Sequence, residues 1–311
     1  MSFGGHPKVL GSTLDLMEAL HPTPLVRLSK SSECCVNLWA KLEFYNPFSR
    51  SIKDRAAAAM LSNAIRRTGA TKFYEATSGN LGIALAALAA AHGVKFRAYV
   101  PSSASEAAVD TMRLLGAEVV VLPTRGVDDE LVEAARRDAL ADGAVFLDQY
   151  HNEDNPRGQE TLITELREQF SAAGIEPLAV VAGTGSLGHM TALGKLRDEM
   201  GFRLIAAAPA EGERIPGLRR DWKREMVADA VFEVTLSESV AAAISIARME
   251  GIPIGISSGA TVVAARRAMR ELGHGDYVLI FPDDASKYMD IFREYMGGEG
   301  GRARVAQELR K

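Results

Sequence analysis

The sequence is poor in cysteine and has no surplus of positive charge. Its two cysteines, Cys34 and Cys35, are adjacent. Two neighbouring thiols cannot build a disulfide framework, and their spacing fits no zinc pattern. The formal net charge is −4, from 36 basic and 40 acidic residues. That balance does not mark nucleic acid as the main partner. The most apolar run, residues 83–91 (IALAALAAA), is far short of a membrane span. The opening stretch, MSFGGHPKVLGS, lacks the apolar core and cleavage site of a signal peptide. Internal repeats, low-complexity segments and metal-ligand clusters are also missing. These absences lead to the expectation of a cytoplasmic protein with no membrane and no bound metal.

What is present suggests a layered α/β protein. A chain of 311 residues is long enough for one large domain or two lobes. In residues 35–42 (CVNLWAKL), Val36, Leu38, Ala40 and Leu42 alternate with Cys35, Asn37, Trp39 and Lys41. That is a strand pattern, and it makes the cysteines packing residues with no redox role. Further strand-like runs lie at 72–76, 95–100, 118–122, 144–148, 178–182, 203–208 and 276–281. Helix-period segments fall near 53–67, 80–92, 104–115, 128–141, 157–173, 186–200, 237–250, 259–272 and 286–296. Such alternation predicts parallel sheets covered by helices. Ligands of such sheets sit beyond the carboxyl ends of the strands. The tail, 297–311, reads as a glycine-rich hinge followed by a loosely docked helix.

Three loops that leave strands can carry chemistry. Residues 77–82 (TSGNLG) set Thr77, Ser78 and Asn80 at a helix start, where backbone N–H groups lack partners. The loop can hold a small anion such as a carboxylate, or it can be a plain Ser/Asn cap. Residues 183–190 (GTGSLGHM) put Gly183, Gly185 and Gly188 before a helix, with Ser186 and His189 as added donors. This is a phosphate cradle or a tight packing turn. It lacks the G-K-[ST] ending of a Walker loop. A G-x-G-x-x-G pattern is formally present, but no acid ends the next strand at the dinucleotide-binding distance. Residues 255–260 (GISSGA) place Ser257 and Ser258 ahead of another helix, as ligand contacts or as a cap.

A lysine joins these loops. In residues 46–60 (NPFSRSIKDRAAAAM), Lys53 stands at the mouth of a helix. The partial positive charge of a helix N-terminus disfavours an ammonium and so helps the neutral amine form. A neutral amine is what Schiff-base chemistry requires. The bland reading is a solvated lysine paired with Asp54. A reactive lysine, a phosphate cradle and an anion-binding Ser/Asn loop together make a pyridoxal phosphate constellation.

With these motifs in place, the chain resembles the fold-type II pyridoxal phosphate enzymes of the cysteine synthase and cystathionine β-synthase group. The likeness runs from residues 22–28 (PTPLVRL) to 281–288 (FPDDASKY). It implies a two-lobed fold like that of the tryptophan synthase β chain. Residues 1–42 and 149–311 would form the large cofactor-binding domain, and 43–148 the smaller one. Lys53 would hold the cofactor as a Schiff base and act as acid and base. Asn80 would bond its 3′-oxygen. Gly185, Ser186, Leu187, Gly188 and His189 would enclose its phosphate, and Ser257 would face the pyridine nitrogen. A hydroxyl there makes a weaker electron sink than a carboxylate would. It tunes the cofactor toward β-elimination and β-replacement. Thr77, Ser78, Gly79, Asn80 and Gln149 would hold the substrate carboxylate. The resemblance also implies a homodimer.

Two details resemble the archaeal O-phosphoserine sulfhydrylases. The Lys53 turn is one residue longer than the usual N-P-x-G-S-x-K-D-R. Residues 209–220 (PAEGERIPGLRR) carry paired arginines beside a Pro-Gly turn. Arg219, or else Arg220, would bind the substrate phosphate, unless residues 219–225 (RRDWKRE) are a solvated basic run. The expected activity is therefore cysteine synthesis from O-phospho-L-serine, with O-acetylserine as a further substrate. Sulfide or a thiocarboxylate sulfur carrier protein would be the donor. Many relatives have a histidine near Gln159, and Thr or Gly is commoner where the phosphate loop has Ser186-Leu187. The chain ends soon after this region, which sets the expectation against a regulated cystathionine β-synthase. The alternatives are a serine-using cystathionine β-synthase type, a serine/threonine deaminase, or an inactive homologue that binds a partner's C-terminal peptide.

Overall fold

The computed structural model describes residues 9–32, 35–220 and 227–308. Ten strands form two sheets: β1 (Leu25–Arg27), β2 (Val36–Leu42), β3 (Lys72–Ala76), β4 (Lys95–Pro101), β5 (Glu118–Leu122), β6 (Val145–Phe146), β7 (Pro177–Gly183), β8 (Arg203–Pro209), β9 (Ala230–Val234) and β10 (Gly275–Phe281). The six-stranded sheet runs β1-β2-β10-β7-β8-β9 and the four-stranded sheet β5-β4-β3-β6. All neighbours are parallel except β1, which pairs antiparallel with β2. The expected parallel sheets flanked by helices are therefore present. None of the helices in the described residues is long and apolar enough to cross a membrane.

Strand order places the site. In the small sheet, β4 and β5 extend to one side of β3 while β6 pairs on the other. In the large sheet, β8 and β9 extend to one side of β7 while β10 pairs on the other. Each reversal leaves a crevice at the carboxyl ends of the strands. Residues 77–82 and Gln149 follow β3 and β6. Residues 183–188 and 282–284 follow β7 and β10.

Several elements differ from the sequence reading. Strands β1 and β9, at the sheet edges, escaped it because short edge strands carry little alternation. The helix expected over 157–173 is two, Asp154–Gly158 and Glu160–Ala173. At Gly158 a Cβ would fall 2.4 Å from the Arg55 carbonyl oxygen, so this turn lies directly on the helix Lys53–Thr68. The tail forms a helix, Gly298–Glu308, whose Val305 is buried in the core. Of its glycines, Gly301 is packed, since a Cβ there would meet the Glu294 carbonyl oxygen at 2.6 Å, whereas Gly298 and Gly300 face open space.

The expectation for the cysteines is corrected in part. Cys35 is exposed, in a left-handed turn (φ 67°) just before β2 begins at Val36. Cys34 lies outside the described residues. The alternation in β2 holds as far as Lys41, which is buried although it falls on the outward phase. Its ammonium is held by Glu165 (2.6 Å), the Thr23 carbonyl (2.7 Å) and Gln169 (2.9 Å).

Candidate active site

The turn before Lys53 is built by its neighbour. Buried Asp54 accepts from the backbone N–H of Phe48 (2.6 Å) and of Ser49 (2.8 Å), and from the Ser49 hydroxyl. The bland alternative of a Lys53–Asp54 pair is not what forms: Asp54 closes the turn behind the lysine. Burial raises the Asp54 pKa to about 6. Ile52 N–H donates to the Pro282 carbonyl at 2.9 Å, which ties the turn to the end of β10. Counted back from Lys53, Arg50 stands where the usual motif has glycine. Its φ of 54° is the left-handed conformation that glycine adopts most easily.

Lys53 is the first residue of its helix, and its Nζ lies 3.4 Å from the Ser186 hydroxyl. Burial lowers its pKa to about 8, against the opposing pull of Asp283. The helix N-terminus acts in the same direction as burial.

The glycines of the loop after β7 meet three different neighbours. A Cβ at Gly183 would strike Leu218 at 2.4 Å, and one at Gly188 would strike the Asn155 amide oxygen at 2.2 Å. At Gly185 it would stand 3.3 Å from the Gly217 carbonyl and 3.6 Å from Lys53 Nζ. Leu187 takes a left-handed φ of 62° and brings the chain into the helix Gly188–Met200. The first N–H groups of that helix have no carbonyl within it to serve.

His189 is buried, and its Nε2 lies 2.8 Å from the Gly183 carbonyl. A carbonyl only accepts, so Nε2 carries the proton. Burial, then the charge of Lys53, lowers the His189 pKa to about 4, which keeps the ring neutral. The ring donor expected for a phosphate is therefore spent on Gly183. What His189 retains for an anion is its backbone N–H.

The loop after β3 is closed by Thr77, whose hydroxyl oxygen accepts from the N–H of Gly82 (3.2 Å) and Gly79 (3.4 Å). The plain Ser/Asn cap does not hold. Gly79 is the cap residue, Ser78 is exposed, and Asn80 is the first helical residue. The Asn80 amide nitrogen donates to Asp283 Oδ2 at 2.7 Å. Gln149 is buried and donates to the Ala76 carbonyl at 2.8 Å, which brings it beside this loop. The cap reading also fails for residues 255–260. That helix runs Ile256–Leu272 with Gly255 as its cap, so Ser257 and Ser258 are inside its first turn. Buried Ser257 faces Gly217, whose Cβ would lie 3.6 Å from the serine hydroxyl.

The two arginines differ. Arg220 is paired with Glu233 at 2.9 Å. Arg219 has its guanidinium 4.2 Å from the centre of the Tyr150 ring, next in sequence to Gln149. The Thr184 carbonyl accepts from Arg219 N–H, and the Thr184 hydroxyl donates to the Arg219 carbonyl, both at 2.6 Å. The rest of the basic run, 221–225, lies outside the described residues.

Three polar residues escaped the sequence reading. Asn155 donates to the Gln149 carbonyl (2.7 Å) and to the Ser186 hydroxyl (3.2 Å). Glu75 is buried beside Gln149, with Oε2 lacking a partner among the described residues, and burial raises its pKa to about 8. Asp283, also buried, meets both Asn80 and Tyr288. Asp283 lies in a stretch that the sequence had marked, 281–288, and Asn155 lies four residues before Gln159. Spacing alone did not show that they point inward.

These residues fit pyridoxal phosphate. A lysine of lowered pKa and a serine hydroxyl border space that Gly185 and Gly217 keep free of side chains. The start of a helix supplies backbone donors for a phosphate. Comparison with known proteins agrees. The family described as "Pyridoxal-phosphate dependent enzyme" matches residues 16–283. Cysteine synthase B of Salmonella typhimurium is 33% identical over 307 residues, covering 92% of this chain and 98% of that protein. Cystathionine beta-synthase of Oryctolagus cuniculus is 32% identical, covering 92% of this chain and 57% of that protein. A solved O-ureido-L-serine synthase variant with O-ureido-L-serine bound superposes with a TM-score of 0.84 at 27% identity, covering 98% of this chain and 99% of that one. The chain therefore belongs to the pyridoxal phosphate-dependent enzymes, in the fold-type II group of the cysteine synthases and cystathionine β-synthases. Its cofactor is pyridoxal phosphate.

Proposed function

We propose that this cysteine synthase-family enzyme makes L-cysteine from O-phospho-L-serine. Sulfide would replace the phosphate at Cβ, or a carrier protein's thiocarboxylate would do so and the resulting thioester would be hydrolysed to free cysteine and the carrier's carboxylate. The observation that carries the substrate is Arg219. Its backbone is clamped to Thr184 in the phosphate loop, and its guanidinium lies over Tyr150, one residue from Gln149. A guanidinium pairs bidentately with a phosphate dianion, and an acetyl ester offers no such charge. Arg220 is the second choice because the contact with Tyr150, beside Gln149, is made by Arg219.

Lys53, Asn80, Gly185, Ser186, Leu187, Gly188, His189 and Ser257 would hold the cofactor. When bound, the cofactor acidifies the Cα proton of an attached amino acid. Thr77, Ser78, Gly79, Asn80 and Gln149 would orient the substrate carboxylate. Lys53 Nζ would take the Cα proton, the Cβ–O bond to phosphate would break, and sulfur would bond to Cβ. Lys53 would then return the proton to Cα. The four-stranded sheet supports residues 43–148 as a smaller lobe that closes to exclude water.

The test compares kcat/KM for O-phosphoserine, O-acetylserine and serine with sulfide. O-phosphoserine should be the best of the three. Arg219→Ala should lower its value about 10- to 100-fold, the usual effect of losing hydrogen bonds to a charged group. It should leave O-acetylserine nearly unchanged. Equal losses on both esters would remove Arg219 from this role.

A further inference from the structure

Asp283 has no part in the assignments above, yet the site is arranged around it. Its Oδ2 accepts from the Asn80 amide at 2.7 Å and from the Tyr288 hydroxyl. Its Oδ1 is buried with no partner among the described residues. A Cβ at Gly255 would fall 2.0 Å from that oxygen, so glycine is what admits the carboxylate. Its backbone pairs with Ser51, two residues before Lys53, and accepts from Gly255 N–H at 3.0 Å. Through its backbone and its side chain, this one residue links the Lys53 turn, the loop after β3 and the start of the helix that carries Ser257.

We propose that Asp283 is a positioning residue that fixes the Asn80 amide, with Tyr288 holding the carboxylate in place. An ionised Asp283 carboxylate only accepts, so the nitrogen of the Asn80 amide faces Oδ2. The amide oxygen and the second N–H are then presented in one orientation to whatever the site binds. An amide free to flip would spend part of its time with donor and acceptor exchanged. The inference rests on the reading of Asn80 as a cofactor contact.

A double-mutant cycle tests it, with the Kd of pyridoxal phosphate for the apoenzyme read by fluorescence titration. Asp283→Ala should weaken binding about ten-fold, the factor set by roughly one well-placed hydrogen bond. Asp283→Asn keeps an acceptor and should restore most of the loss. In an Asn80→Ala background, Asp283→Ala should change Kd less than about two-fold. An equal loss in both backgrounds, or none in the wild type, overturns the proposal. If Asp283→Ala does not fold by circular dichroism, Tyr288→Phe enters the same cycle with a smaller loss expected and the same failing outcomes. If Asn80→Ala alone leaves Kd unchanged, the Asn80 assignment falls and this inference with it. If Asn80→Ala weakens binding and Asp283→Ala does not, only the inference falls.

Discussion

Two groups of buried charges lie on either side of the Lys53 turn, and they are finished differently. Below it, the Arg55 guanidinium bonds both oxygens of Glu43 (2.6 and 2.9 Å) and both oxygens of Glu165 (2.7 and 2.9 Å). Thr23 and Lys41 complete the set. The Arg55 charge holds the Glu43 pKa down at about 2 despite burial. Above it, Lys53 has one long contact to a hydroxyl, and Asp283 and Glu75 each keep a buried oxygen without a partner among the described residues. A buried charge without a matching donor or acceptor destabilises the fold. The paired cluster is framework. The unfinished one belongs to the candidate site.

The sharpest break between the two is functional. Lys53→Ala should lower turnover by on the order of 10² to 10⁴-fold, the range for loss of a general acid–base group. The fold should survive, because an unpaired buried amine is removed. A loss of thermal stability as large as the loss of activity would mean that Lys53 belongs to the framework instead. The converse change is Arg55→Met, which strands two carboxylates. It should cost about 3–5 kcal/mol in urea unfolding, as breaking a buried ion pair does. A stability near wild type would show that the lower cluster is not the framework.

The smallest effect is in pH. The folded pKa of His189 is lowered from 6.5 to about 4, and that of Glu43 from 4.5 to about 2. In both cases the unfolded chain binds its proton first as pH falls. Stability from His189 is therefore lost between about 6.5 and 4, and from Glu43 between about 4.5 and 2. Asp54 and Glu75, raised to about 6 and about 8, act in the opposite sense below those values. Urea midpoints measured against pH isolate the histidine: His189→Gln should flatten the upper limb and spare the lower one. An unchanged upper limb would mean that the ring is not held neutral.

The chemistry-bearing loops were legible because each is a local device. A lysine at a helix start, glycines before a helix and a Thr-Ser-Gly-Asn turn lie within a few residues of one another. The alternation of strands and helices likewise told of parallel sheets. Partners were another matter. Asp54, next to Lys53 in sequence, closes the turn behind the lysine through Phe48 and Ser49, which no local pattern announced. His189 looked like a phosphate donor, yet its N–H serves Gly183. Arg219 was set ahead of Arg220 from the sequence, but only the fold shows Arg219 over Tyr150 and Arg220 beside Glu233.

The sequence by itself determined the fold class and the cofactor, and it singled out Lys53 as the candidate reactive lysine, because short-range geometry and residue type are enough for those. Only the tertiary structure decided how Lys53 is tuned, which arginine faces Tyr150, and that Asp283 and Asn155 reach the site. Burial and hydrogen bonding between residues as far as 203 positions apart set these outcomes. Periodicity and spacing carry no record of which distant side chain comes within 3 Å.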